Sequence, residues 1–245
     1  MEYKSAGKRP LQKMFRAVPP SYDLLNRVLT FRMDESWRKM AAAACLENNP
    51  ALILDLCCGT GDLALHLGLM ASAEAKIKAL DYSIPMLELA ARKASAKKLD
   101  NLEFIHGDAA GMPFEDNIFD SVGIAFAFRN LTFHNPDTGK FMAEILRILK
   151  PGGRFVIVET SQPENKTLRK LFHFYLQYIT SPVGGFLSGH PGAYKYLAHS
   201  AKHYFNRDQL ERLLEGSGFI PVKSKLLMGG IAGIFAAAKP DISCE

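Results

Sequence analysis

Apolar positions along the chain follow two rhythms, and the change between them divides the sequence. From Tyr22 to Leu46, the residues Leu24, Leu25, Val28, Leu29 and then Trp37, Met40, Ala41 and Ala44 recur at helical spacing. This predicts one or two helices, within residues 21–49, ahead of the main body. Beyond Pro50 come short apolar runs at 51–57, 77–81, 102–105, 119–127 and 154–159, separated by helix-period segments at 62–70, 85–98 and 138–149. Apolar strands alternating with amphipathic helices mark a parallel sheet joined by crossover helices. Pro151-Gly152-Gly153 stops the last of these helices, and the pattern predicts an α/β core over 50–163.

From residue 164 that rhythm breaks. An aromatic-rich stretch with Phe172, Phe174, Tyr175, Tyr178, Phe186, Tyr194 and Tyr196 is cut by Ser181-Pro182 and Gly184-Gly185, which predicts an insert or lid over 164–206 on the substrate side. A helix over 207–215, ended by Gly216 and Gly218, leads into runs at 219–227 and 231–238 around Met228-Gly229-Gly230. That pair predicts a closing antiparallel hairpin. No repeat or low-complexity tract interrupts the chain, so residues 1–245 read as one domain with a basic arm over 1–20.

Composition narrows the class. With 48% apolar residues among 245, the chain can bury a sizeable core. Thirty basic against 25 acidic residues give a net charge of +5, far too sparse for a dedicated nucleic-acid binder, so no nucleic-acid partner is expected. The longest chargeless stretch, 171–194, is interrupted by His173, Gln177, Pro182, Gly184, Gly185 and Pro191, which excludes a spanning helix there. The opening residues have no apolar signal core, and the expected setting is the cytoplasm. Four cysteines give neither a disulfide framework nor a metal spacing, so no metal is expected; Cys57 and Cys58 read as small packing residues.

The strongest local signal is the run from Leu52 through Asp55 to Cys57-Cys58-Gly59-Thr60-Gly61-Asp62, an apolar strand entering a Gly-x-Gly turn at a helix start. Glycine there lets the backbone approach a ligand that a Cβ would block. The pattern alone also fits a dinucleotide site. Asp55 and Asp62, however, flank the turn with carboxylates where a pyrophosphate favours a bare helix N-terminus. An acidic turn suits a cationic ligand such as S-adenosylmethionine, which carries an ammonium and a sulfonium. The next strand ends in Asp81-Tyr82-Ser83, at the spacing of a carboxylate that takes ribose hydroxyls, and the third in Gly107-Asp108-Ala109, where an adenine amino group could be read. A single strand-end aspartate could equally cap a helix; three on successive strands are harder to explain that way.

Together with Leu149-Lys150-Pro151-Gly152-Gly153-Arg154, these segments resemble the class I S-adenosylmethionine methyltransferases. Further segments resemble the ubiquinone/menaquinone biosynthesis C-methyltransferase family: Ser21-Tyr22-Asp23-Leu24-Leu25-Asn26, Arg32 with Trp37-Arg38, Phe126-Ala127-Phe128-Arg129-Asn130, Tyr194-Lys195-Tyr196-Leu197 with Ser200, and Met228-Gly229-Gly230-Ile231. The resemblance covers about 22–239. It implies a Rossmann-like fold with a seven-stranded sheet, S-adenosylmethionine as cofactor, and methylation of a ring carbon on a prenylated quinol such as demethylmenaquinol or its benzoquinol equivalent. It places Thr60, Asp81, Asp108 and Ala109 at the cofactor, beside the turn residues Asp55, Gly59, Gly61, Asp62 and Tyr82. Where the family shows Ser-Phe-Gly, this chain has Ala125-Phe126-Ala127, which removes one hydroxyl from the cofactor wall.

A quinol carbon becomes nucleophilic when the neighbouring hydroxyl loses its proton, so the site must help deprotonation and exclude water. Arg129 is the leading catalytic candidate. It is too basic to take a proton, but it can stabilise a phenolate, with Asn130 orienting a water. The alternative is a structural ion pair with Asp23, Glu159 or the cofactor's carboxylate. Tyr22 is a candidate for closing over the cofactor or assisting the proton step, with a core tyrosine as the alternative. His134, His190 and His203 are isolated in sequence and read as surface or packing residues.

Two other functions stay open at this point: a methyltransferase for another small or lipidic acceptor, and a non-catalytic cofactor-binding accessory protein. A homodimer also stays open. Charge is unevenly placed, with five basic residues against one acid in 1–20, six against two in 164–210, and fifteen against eighteen in 21–163. The expectation is that the arm and the insert meet an anionic membrane surface, peripherally, where a prenylated quinol resides.

Overall fold

A computed structural model describes residues 27–241. Its seven strands are β1 (Leu52–Leu56), β2 (Lys76–Asp81), β3 (Leu102–His106), β4 (Phe119–Ala125), β5 (Leu149–Thr160), β6 (Ile220–Leu227) and β7 (Ala232–Ala238). They form one sheet in the order β3-β2-β1-β4-β5-β7-β6. β1 to β5 are parallel, and β7 lies antiparallel between β5 and β6. Strand order reverses between β1 and β4, which opens a crevice at their carboxyl ends.

The helices are α1 (Met33–Cys45), α2 (Asp62–Met70), α3 (Ile84–Ala96), α4 (Phe128–Thr132), α5 (Thr138–Ile148), α6 (Lys166–Tyr175), α7 (Ser181–Ser188), α8 (Pro191–Lys202) and α9 (Arg207–Gly216), with a π-turn at Leu176–Thr180. Side chains alternate across the sheet as strand geometry requires. Phe155 and Ile157 of β5 join Leu54 and Leu56 against Ile145 of α5 and Leu210 and Leu214 of α9. Their neighbours Val156 and Val158 join Ile53 on the other face, against Trp37 and Ala41 of α1 and Leu63 and Leu67 of α2. Each large side chain buried this way contributes roughly 1.5–3 kcal/mol.

The expected strands and helices of the core appear within a few residues of their bounds, with two instructive differences. β4 stops at Ala125, not 127, because Phe126 turns the chain with a φ of 57° and α4 begins two residues later. The helix before Pro151 ends at Ile148, and Leu149 already pairs with Phe119, so Pro151-Gly152-Gly153 lies in an irregular stretch of β5.

The insert departs further from expectation. Ser181-Pro182 and Gly184-Gly185 do not cut it; α6, the π-turn and α7 run on without a break over 166–188. The wide turn at 176–180 accommodates Pro182, which has no N–H to give to the preceding turn. Gly184 is required by packing. A Cβ there would lie 2.1 Å from Cδ1 of Tyr194, whose ring α8 lays against α7.

Candidate active site

The glycine turn is braced by the strands beside it. Cys57 (φ 55°), Gly59 (φ 55°) and Gly61 (φ 81°) take left-handed backbone between β1 and α2, and the Cys58 amide donates to the Leu80 carbonyl at 3.0 Å. Asp81 finishes the job: its Oδ2 accepts from the Gly59 amide and its Oδ1 from the Ser83 amide, both at 2.8 Å. Burial raises the Asp81 carboxyl, and those backbone donors partly offset the rise. Gly61 does not face the crevice. A Cβ on it would meet Cβ of Ala90 at 2.8 Å, so its glycine serves the turn and the packing of α2 on α3.

Asp55 points from β1 toward the first turn of α2, where its Oδ2 accepts from the Ala64 amide at 2.8 Å. Its Oδ1 is buried with no hydrogen-bond partner. Burial pushes this carboxyl up to about 8, against the pull of the Ala64 amide. Asp62 differs. Burial alone would raise it, but Lys93 and Arg38 hold it below the usual carboxylate range, with Lys93 at 2.7 Å and Arg27 at 3.6 Å. The turn therefore does not present two bare carboxylates, as the sequence led us to expect; one is neutralised by cations and the other favours its proton. Lys93 also donates to the Thr60 hydroxyl at 3.0 Å.

Asp55, Gly59, Thr60, Asp62 and Asp81 line one side of a cavity of about 650 Å³, together with Tyr82, Asp108, Ala109 and Ala125. Asp108 lies exposed at the end of β3, its Oδ1 accepting from the Ala110 amide at 2.9 Å, while Ala109 is buried. Arg129 and Asn130 reach the cavity from α4. Arg129 is itself buried and pairs with the fully buried Glu159: Nη1 to Oε1 at 3.0 Å, and the Arg129 amide to Oε2 at 3.0 Å. Nη1 also donates to the Thr160 hydroxyl at 2.7 Å, whereas Nε is buried without a partner. The ion pair foreseen as the structural alternative is thus present, on a side chain that also faces the cavity.

A model of the ubiE/COQ5 methyltransferase family matches residues 3–239. The chain belongs to that family. It is 40% identical over 227 residues to the demethylmenaquinone methyltransferase of Thermus thermophilus, covering 93% of this chain and 100% of that one. To the Thermotoga maritima enzyme of the same name it is 40% identical, over 93% and 95% of the two chains. Among solved structures, an S-adenosylmethionine-dependent methyltransferase from Aquifex aeolicus superposes with a TM-score of 0.60 at 20% identity, over 93% of this chain and 97% of that one. The [4+2]-cyclase SpnF superposes with a TM-score of 0.63 at 17% identity, over 84% and 81%. The fold is shared with a cyclase, so fold alone does not fix the chemistry.

Within this family member, α1 adds a group that the sequence marked only through Trp37-Arg38, without a role. Asp34, buried, accepts from the Thr30 hydroxyl at 2.6 Å and pairs with Arg38. The Arg38 guanidinium lies 5.0 Å from the centroid of Phe126, whose ring Trp37 also approaches, at 6.2 Å. All four of Asp34, Trp37, Arg38 and Phe126 line the cavity. Sequence spacing could not have found this, because it depends on α1 crossing the end of β4.

The opposite side of the cavity is apolar, formed by Leu168, Leu171, Phe172 and Tyr175 of α6, Leu176 of the π-turn, and Leu197 of α8. His190 lines it as well, while His134 packs on Phe133 and His203 on His199, away from the lining. The Cys57 and Cys58 thiols are pushed well above their usual range by burial beside Asp81 and Asp55, which fits packing and not nucleophilic chemistry. Among the described residues no cluster could hold a metal ion. Tyr22 lies outside the described residues.

Proposed function

We propose that this chain transfers the methyl group of S-adenosylmethionine to a ring carbon of a prenylated, demethylated naphthoquinol. The family membership and the names of the relatives aligned over almost their whole length support the reading, and those names favour a naphthoquinol over a benzoquinol. The observation that carries it is the division of one cavity into a polar, backbone-braced side at the sheet and an apolar side on the helices.

The residues present fit the cofactor. The unpartnered Asp55 Oδ1 is an acceptor suited to the ammonium, and Arg38, held by Asp34, offers a guanidinium to the carboxylate. The Asp81 carboxylate, oriented by the Gly59 and Ser83 amides, keeps acceptor capacity for the ribose hydroxyls. Asp108, with Ala109, suits the adenine edge, and Gly59, Thr60, Tyr82 and Ala125 complete the wall. Bound there, the cofactor supplies an electrophilic methyl on its sulfonium.

Arg129 then acts on the acceptor. Glu159 fixes its guanidinium, and that buried cation at the cavity wall stabilises the quinol oxygen as a phenolate, which pushes charge into the ring. Asn130 orients a water that carries off the hydroxyl proton, the ring carbon gives up its own proton once it has taken the methyl, and the apolar wall excludes bulk water and seats the tail. A prenylated acceptor resides in the bilayer, so the enzyme meets it at the membrane face; no described helix is long and apolar enough to cross a bilayer.

Calorimetric titration with S-adenosylhomocysteine and with NAD, followed by single-turnover methylation, tests this. The homocysteine compound binds and NAD does not; Arg129→Ala and Arg129→Lys both slow the chemical step. Binding of NAD instead would remove the reading, and normal rates in both variants would remove Arg129 from the mechanism.

A further inference from the structure

Of the fifteen exposed large apolar side chains among the described residues, seven lie between Leu171 and Leu187. Leu171, Phe174, Tyr178, Val183 and Phe186 succeed one another at steps of three to five along the unbroken helical run 166–188, which places them along one outer face; Phe186 is 85% exposed. From 165 to 207 the sequence contains no aspartate or glutamate, yet it holds six lysines and arginines, of which Lys166, Lys170 and Lys195 are exposed. This apolar face reaches the mouth of the cavity. Phe31 and Leu171 line the cavity and are 72% and 62% exposed. Phe31 sits against Tyr175, with ring centroids 6.2 Å apart, and the Tyr175 hydroxyl donates to the Leu29 carbonyl at 2.7 Å, which pins that rim.

We propose that the outer face of residues 166–188 docks on an anionic lipid bilayer, with the Phe31–Leu171 mouth turned to the lipid so that an acceptor's prenyl chain passes into the cavity without crossing water. Exposed aromatics along one side of a helix, flanked by lysine and arginine and free of acids, are what a helix lying in the interface requires. Charge decides between occupants. A second copy would bring one acid-free cationic face against another, whereas an anionic lipid surface complements it. The prenyl part of this inference rests on the proposed reaction; the docking surface does not.

The test uses the full chain and sedimentation with vesicles of phosphatidylcholine alone or mixed with phosphatidylglycerol. The protein binds the mixed vesicles more tightly, and Phe174→Asp with Phe186→Asp weakens that binding about tenfold. The same variant keeps its affinity for S-adenosylhomocysteine and its turnover of a tail-less naphthoquinol, while turnover of a prenylated acceptor carried in vesicles falls in step with binding. Phe186→Ser with Leu187→Ser carries the same test if the double aspartate does not fold. Unchanged vesicle binding in a folded variant would overturn the proposal. So would a change in oligomeric state in its place, or binding lost on deleting residues 1–20 but not in the face variants. The vesicle pattern would support the surface even if no quinol were methylated, so the two readings fail separately.

Discussion

The two sides of the cavity are held in place by different physics. At the sheet, each acid near the ends of β1, β2 and β3 is fixed by backbone amides: Asp81 by Gly59 and Ser83, Asp55 by Ala64, Asp108 by Ala110. On the helical side the lining is apolar and positioned by packing, with Phe172 and Leu176 buried against Ala198 and Ala201, and Tyr194 laid over Gly184. Directional hydrogen bonds suit a ligand of fixed shape and charge, and non-directional apolar contact suits a long flexible chain. The difference teaches that changes on one side should alter cofactor binding alone, and changes on the other tail recognition alone.

Arg129, between the two sides, should show the largest effect. Arg129→Ala leaves Glu159 fully buried without its cation, which costs roughly 3–5 kcal/mol of stability in denaturant unfolding. Arg129→Lys keeps a charge there and should lose much less stability while still slowing methyl transfer, which separates its structural work from its chemical work.

Asp81→Ala removes the acceptor of two amides and the proposed ribose partner together. Its affinity for S-adenosylhomocysteine should drop by about 2–4 kcal/mol, roughly 30- to 1,000-fold, in calorimetry. The dependence of turnover on acceptor tail length should not change. A variant that altered tail preference instead would break the comparison.

Asp55 sharpens it through pH. Its raised carboxyl holds a proton below about 8, whereas a ligand ammonium needs the ionised form. Binding therefore releases a proton, and affinity should rise as pH increases from 6 to 8, by up to roughly tenfold per unit, then level off. Asp55→Asn should abolish this slope. In the ligand-free protein the sign is opposite for stability: the unfolded chain gives up this proton near pH 4 and the folded one near 8, so Asp55 makes the fold less stable as pH rises across that window.

The smallest expected effect belongs to the helical side. Gly184→Ala puts a Cβ 2.1 Å from the Tyr194 ring, an overpacking of about 1–3 kcal/mol. KM for a prenylated acceptor should rise, and the dissociation constant for S-adenosylhomocysteine should not move.

How much the sequence revealed follows the same division. The central strands were legible because a buried parallel strand must be largely apolar, and Asp55 and Asp81 stand out near their ends; Asp108 follows the half-exposed edge strand β3 and was legible by its place after the third short apolar run. What those acids bind was not legible, since the amides of Gly59, Ser83 and Ala64 are recruited by the shape of the turn. For that reason Asp62 reads as a bare carboxylate in sequence but is paired with Lys93 in space, on the cavity wall. The Asp34–Arg38–Phe126 group depends on two elements about 90 residues apart meeting. On the helical side, proline and glycine signalled breaks, but a π-turn absorbs the one and Tyr194 of a later helix fills the space left by the other.

Transfer of a deuterium-labelled methyl group most directly tests the central claim. With labelled S-adenosylmethionine and a reduced, demethylated prenyl naphthoquinol, mass spectrometry of the product should find one intact labelled methyl on a ring carbon. A label on oxygen, or no labelled quinol although S-adenosylhomocysteine binds, would contradict it.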